Sequence, residues 1–313
     1  MSKMATREAY GRALAEYGSD ERIVVFDADL SGSTNTARFK AVYPERHFNM
    51  GIAEGNMVAT AAGMASTGKI AFVSSFAMFA SERACEQIRN SVCYSKLNVK
   101  ICATHAGLTV GEDGASHQCL EDLAIMRSIP NIKVVCPADA ATAKMAIKAA
   151  IETDGPFYIR LGRLAVESVY GEYGDEVPYE LGKALQIRDG KDLTIIATGY
   201  MVKEAVEAAA ALEAEGISAR VLDMHTIKPI DSEAIIAAVR DTGLIVTAEE
   251  HNIIGGLGSA VAEVVCEEAP CKVVRYGMRD HFGRSGTPDA LLEHYHLTTA
   301  DLVAKCKEAL ASE

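Results

Sequence analysis

Short apolar runs alternate with longer segments of helical period through almost the whole chain. This alternation constrains the fold more than any other feature. Ile23-Val24-Val25-Phe26, Ile70-Ala71-Phe72-Val73, 99–104, 132–136 and 157–159 read as buried strands. Between them run helical patterns: Thr6, as N-cap, to Tyr17 with Gly18 as the stop, then 54–66, 78–91, 119–128 and 138–152. Strands apolar on both faces and separated by helices predict a mostly parallel sheet covered on both sides.

The pattern weakens from about Arg163 to Lys191, where 169–178 is polar and punctuated by Gly and Pro, as in a linker. It then restarts. Strands near 193–197, 219–222, 244–248 and 272–275 alternate with helices near 201–215, 232–240, 257–268 and 299–311. The expected fold class is therefore α/β: two doubly wound domains, each a mostly parallel sheet flanked by helices. The expected bounds are 1–165, a linker over 166–190, and 191–313. With 313 residues, 49% of them hydrophobic, the chain can fill two cores.

Charge narrows the partners. The formal net charge of −12 argues against nucleic acid or an anionic membrane, both held mainly by positive charge. It leaves room for a small anion held by a few local Arg or His residues. The eight cysteines form no CxxC pair and mostly sit in apolar stretches, as buried free thiols of a reducing compartment do. The start shows no apolar signal region and no run is long enough to span a bilayer, so a cytoplasmic protein is expected.

Two loops invite functional readings. Gly255-Gly256-Leu257-Gly258-Ser259-Ala260-Val261 follows a strand and opens a helix, the context of a dinucleotide fingerprint. Val261 stands where the third small residue belongs, so tight strand–helix packing is the better reading. The segment from His105 to Gln118 is long, Gly-rich, and carries two His and two acids. Long loops inside compact domains are usually functional or disordered. His105 and His117 lack a third ligand for metal, which leaves sugar or phosphate contact and a solvated loop as readings. Glu54 opens a helix of small apolar residues, where a carboxylate also favours the helix dipole. Phe76 and Phe79 suit a core as well as a ring platform.

Together and in this order, these motifs resemble the C-terminal half of transketolase. The resemblance is carried by Thr6-Arg7-Glu8, Asp27-Ala28-Asp29-Leu30 with Ser33, Gly51-Ile52-Ala53-Glu54 and Ser75-Phe76-Ala77-Met78-Phe79. It continues through Thr104-His105, Gly111-Glu112-Asp113-Gly114 with His117-Gln118, Ala248-Glu249-Glu250 and Phe282-Gly283-Arg284-Ser285-Gly286. It thus covers essentially the whole chain.

The resemblance implies thiamine diphosphate with Mg2+ or a similar divalent cation. It also implies transfer of a two-carbon ketol unit from a ketose phosphate to an aldose phosphate. Glu54 matches the family's glutamate facing a ring nitrogen of the aminopyrimidine, where it promotes the imino form that deprotonates the thiazolium carbon. Phe76 and Phe79 match the aromatic positions around that ring, and Asp29 an acid close to the cofactor. Glu82 stands where some relatives carry a third aromatic residue, and Gly55 where many carry a larger one. Arg7, Ser33, His105 and Arg163 match positions holding the substrate phosphate, with Arg160 close enough in sequence to exchange with Arg163. Asp113 and His117 match contacts to sugar hydroxyls, and His117 joins Glu54 in the catalytic set. The family's Gly-Asp-Gly motif with its downstream Asn pair is missing, and Tyr173-Gly174-Asp175-Glu176 lacks the final Gly. The resemblance therefore implies a split enzyme. A separate N-terminal subunit would hold the diphosphate and metal, with two copies of each chain and no metal ligands here. A 1-deoxyxylulose-5-phosphate synthase-like or 2-oxoacid dehydrogenase beta-like subunit is the alternative enzyme, and a non-catalytic partner subunit the alternative outside enzymes.

Overall fold

The computed structural model describes residues 3–171 and 177–312. Part of the expected polar linker, and with it the incomplete Tyr173–Glu176 motif, lies outside the described residues. Among the described residues, one sheet has seven strands in the order Thr226–Lys228, Lys133–Val135, Phe157–Arg160, Val99–Thr104, Ile70–Phe76, Ile23–Asp27, His47–Asn49. All its neighbours run parallel except the first pair. Side chains alternate across a strand, and both faces are filled. Val24, Phe26, Val73 and Ile101 join one core, while Ile23, Val25, Phe72 and Ile159 join the other.

The second sheet has five strands in the order Lys272–Met278, Leu244–Asn252, Leu193–Ala197, Ala219–Asp223, Leu185–Arg188. The last is an antiparallel edge, formed by residues expected to be linker. Another edge crosses over: Thr226–Lys228, from the second half of the chain, pairs with Lys133–Val135 and completes the first sheet.

Two local expectations differ from the structure, and a third, the tight packing of the glycine-rich loop, agrees with it. Ala5, not Thr6, is the N-cap of Thr6–Tyr17, because the Thr6 hydroxyl accepts the Gly162 N–H at 2.8 Å. The helix expected over 78–91 is interrupted: π-helical turns at Phe79–Arg83 and Ile88–Cys93 flank one α turn at Cys85–Gln87. The glycine-rich loop does open the helix Leu257–Glu268, but Glu249 occupies its N-terminus, accepting the N–H groups of Leu257 at 2.7 Å and Gly258 at 2.8 Å. A Cβ on Gly256 would lie 2.0 Å from that carboxylate. The anion site of this helix is thus filled by the protein itself.

The two domains share a buried ionic centre. Arg160 Nε meets Asp122 Oδ2 at 2.9 Å, with side chains 5% and 0% exposed. Tyr158 donates to the same carboxylate at 2.7 Å, and the Arg160 Nη2 donates to the Glu250 carbonyl of the second domain at 3.0 Å. All eight cysteines are free. Burial pushes the thiol of Cys102 up to about 12. Among the described residues no helix is long and apolar enough to cross a membrane.

Candidate active site

Ligands of open parallel sheets bind at the carboxyl ends of the strands, and four such ends converge here. Ile23–Asp27 leads to Asp29 and Ser33, Ile70–Phe76 to Phe79, Val99–Thr104 to His105, and Phe157–Arg160 to Arg163. Buried Asp27 pins the first loop by accepting the Leu30 N–H at 2.5 Å and the hydroxyls of Thr34 and Thr36 at 2.6 and 2.9 Å. Asp29 is exposed, at φ 64°, and accepts the Asn49 amide at 2.9 Å.

Glu54 is the first residue of Glu54–Ala65 and is 3% exposed. Its Oε1 receives the Ser75 hydroxyl and an Arg83 N–H, both at the long distance of 3.4 Å. Phe76 ends its strand and Phe79 opens the π-helical turn; their rings stack at 5.8 Å. The His105 ring stacks on Phe76 at 3.9 Å, and His117 meets the edge of Phe79 at 5.3 Å and of Phe76 at 6.1 Å. The structure therefore brings Glu54, Phe76, Phe79, His105 and His117 into one cluster.

Burial, aided by the charges of Arg7, Arg163 and His117, lowers the His105 pKa to about 3. Its Nδ1 shares a hydrogen with the Thr104 hydroxyl at 3.0 Å. Arg7 Nη1 donates to the Ser33 carbonyl at 2.5 Å. Burial and the nearby Arg163 charge lower the Arg7 pKa. Arg163 donates to the Val110 carbonyl and meets Glu112 at 3.0 Å. Arg7, Thr109, Glu112 and Arg163 line one surface depression. Asp113, at the end of the 3₁₀ segment Leu108–Asp113, is exposed.

Arg160 does not share this depression; its guanidinium is consumed by Asp122 and two carbonyls. Arg83 was not singled out from sequence. Its guanidinium lies 4.1 Å above the Phe79 ring centroid while reaching Glu54. The interrupted helix sets this geometry, and no residue pattern announced it. Metal-ligand types approach one another elsewhere, at Glu82, Cys119 and Glu121. Burial raises the pKa of the Cys119 thiol, which disfavours the thiolate that a metal needs.

The fold and site define a two-domain α/β protein with a buried carboxylate, stacked aromatic rings and neighbouring guanidinium groups at the carboxyl ends of interior strands. Residues 2–168 match the family described as transketolase, pyrimidine binding domain, and residues 182–302 match transketolase, C-terminal domain. The chain belongs to the transketolase family, which depends on thiamine diphosphate. It is 53% identical to a putative transketolase C-terminal section from Methanocaldococcus jannaschii, covering 98% of this chain and 96% of that one. A 6-deoxy-6-sulfo-D-fructose transketolase subunit from a Clostridium species is 44% identical over 96% of this chain and 93% of its own length. A solved structure described as a split gene transketolase, inactive beta4 tetramer, superposes with a TM-score of 0.90 at 54% identity, covering 99% of both chains.

Proposed function

We propose that this chain is the pyrimidine-side subunit of a split transketolase. It transfers a two-carbon ketol unit from a ketose phosphate to an aldose phosphate together with a separate chain that holds the diphosphate and divalent cation. The observation that carries this reading is the gathering of Glu54, Phe76, Phe79, His105 and His117 in one cluster near the charges of Arg7 and Arg163. The nearly full-length match to a relative named as a C-terminal section supports the division into two chains.

The donor set fits an aminopyrimidine. Glu54 is a buried carboxylate whose contacts from Ser75 and Arg83 are long, so it has capacity for a ring nitrogen. Phe76 and Phe79 offer ring surface beside it, and exposed Asp29 lies on the adjoining strand end. When bound, thiamine diphosphate would supply the electron-sink chemistry that ketol transfer needs. Glu54 would pair through its carboxyl group with a ring nitrogen of the aminopyrimidine. His117, half-buried with Ser116 at its Nδ1, donates to or accepts from a sugar hydroxyl, and the Asp113 carboxylate accepts from one. Neutral His105 orients oxygen atoms without repelling the guanidinium groups. Arg7 and Arg163, with Ser33, take the terminal oxyanion; Arg presents a planar fork to such groups.

The name of the Clostridium relative includes a sulfonated sugar, so the oxyanion pair is tested with both classes. The test is ketol transfer by the complex of this chain with its partner subunit. Glu54→Ala should abolish it, and near-normal turnover would refute the assignment. Pyruvate decarboxylation in place of ketol transfer would favour the synthase or dehydrogenase reading. Full turnover by the partner alone would make this chain non-catalytic.

A further inference from the structure

Glu250 stands on Leu244–Asn252 in the second domain, yet its side chain ends in the loop of the first domain that joins His105 to His117. It is 4% exposed, and its Oε1 accepts the Thr109 N–H at 2.5 Å. The Leu108 N–H is aimed at the same carboxylate. These two residues open the segment Leu108–Asp113, whose own cap residue, Gly107, offers no side chain. Unpaired N–H groups at such a start need an acceptor, and the second domain provides it.

The fit is close. Gly107 lies at φ +85°, and a Cβ there would sit 2.5 Å from the Glu250 carboxylate. The backbone of Glu250 is fixed in turn by Arg160, which also donates to the Cys119 carbonyl at 3.1 Å. Gly107 N–H donates to that same carbonyl at 3.0 Å, closing the neck of the loop. At the far end, Gln118 Nε2 donates to the carbonyls of Leu108 and Gly111 at 3.2 Å and of Arg284 at 3.0 Å. The loop is held at both ends by groups reaching across the domain boundary. The His105 and His117 rings project from its two ends onto Phe76 and Phe79. Small displacements of such groups are costly to turnover.

We infer that Glu250 is a positioning residue through which the second domain sets the orientation of His105 and His117 against Phe76 and Phe79. The activity arm of its test rests on the proposed ketol transfer; the spectroscopic arm does not.

The spectroscopic test compares Glu250→Gln with the unaltered full chain by NMR. The imidazole signals of His105 and His117 should move while those of His281 and His296 stay. Exchange of the Thr109 amide should accelerate about tenfold or more. In the complex with the partner subunit, kcat should fall about tenfold with KM for the phosphorylated sugar changed less. Glu250→Asp should remain below the unaltered chain, because its shorter stem does not reach Thr109. Unmoved His105 and His117 signals would overturn the inference, as would a loss confined to melting temperature. If Glu250→Gln fails to fold, Gly107→Ala, which presses on the same carboxylate from the loop side, must move the same two imidazole signals or the inference falls. Should the unaltered complex show no ketol transfer, the proposed function fails while the NMR comparison still decides the role of Glu250.

Discussion

The imidazole of His105 lies face to face with the ring of Phe76, centroids 3.9 Å apart and planes 27° from parallel. Burial first, and then the charges of Arg7, Arg163 and His117, hold its pKa near 3 instead of the ordinary 6.5. The unfolded chain therefore takes up this proton at higher pH than the folded one. Stability tied to neutral His105 is complete above pH 6.5 and is lost as pH falls towards about 3. His105→Gln should shrink the acid-induced loss between pH 7 and 4 by on the order of 2–3 kcal/mol. Urea unfolding at both pH values measures it, and equal losses in the two proteins would contradict the assignment.

Arg160 and Arg163 are three positions apart but do different work. The Arg160–Asp122 pair is buried, while Arg163 meets exposed Glu112. Removing one partner of a buried pair leaves an uncompensated charge. Arg160→Met should thus cost about 3–5 kcal/mol, read as a lowered denaturant midpoint. Arg163→Met should change stability by about 0.5 kcal/mol or less and instead raise KM for phosphorylated sugars in the complex. The reverse pattern would exchange their roles.

The parts of the fold legible in sequence are those with a one-dimensional physical cause. A strand buried on both faces tends to be apolar along its length, which marks Ile23–Phe26 and Ile70–Val73 directly. His47–Asn49 and Thr226–Lys228 are three-residue strands with too few residues to show a period. Thr226–Lys228, moreover, pairs across the domain boundary, a relationship that no local pattern encodes. The helical spacing after Phe76 was readable, but the widening into π turns was not, because two turns cannot separate the periods. Glu54, Phe76, Phe79, His105 and His117 were each ambiguous alone, and their order carried the resemblance. Arg83 stands in no motif, and Glu250 reads only as part of the Ala248-Glu249-Glu250 string, because the contacts of both depend on how separate elements pack. Arg160 could not be told from Arg163 until the strand end between them was fixed.

Asp223 provides a pH dependence of the opposite sign. It is fully buried, accepts the Tyr170 hydroxyl at 2.8 Å, and its Oδ1 has no hydrogen-bond partner. Burial, with a smaller contribution from the Asp139 charge, raises its pKa from 3.8 to about 8. The folded chain keeps this proton where the unfolded chain has released it. Stability is therefore lost as pH rises from about 4 towards 8. Asp223→Asn should be more stable than the unaltered chain at pH 9, by on the order of 2–4 kcal/mol, with little difference at pH 4. Denaturant midpoints at the two pH values provide the check, and a variant weaker at both would show Asp223 to be ionised in the fold.

Glu112 already occupies Arg163. The ion pair measures 3.0 Å, and its side chains are 38% and 59% exposed. In the proposed site, a phosphate or sulfonate would compete with that carboxylate for the same guanidinium. Glu112→Ala removes the competitor and leaves the Arg163–Val110 hydrogen bond intact. KM for a phosphorylated ketose should fall about two- to threefold, a modest change because exposed pairs are weak. KM for an unphosphorylated aldose should stay the same. The gain should disappear at 1 M salt, where the screening length is about 3 Å. Initial rates of the complex with both sugar classes, at low and high salt, measure the effect. Equal shifts for charged and uncharged sugars would mean that Arg163 does not receive the oxyanion.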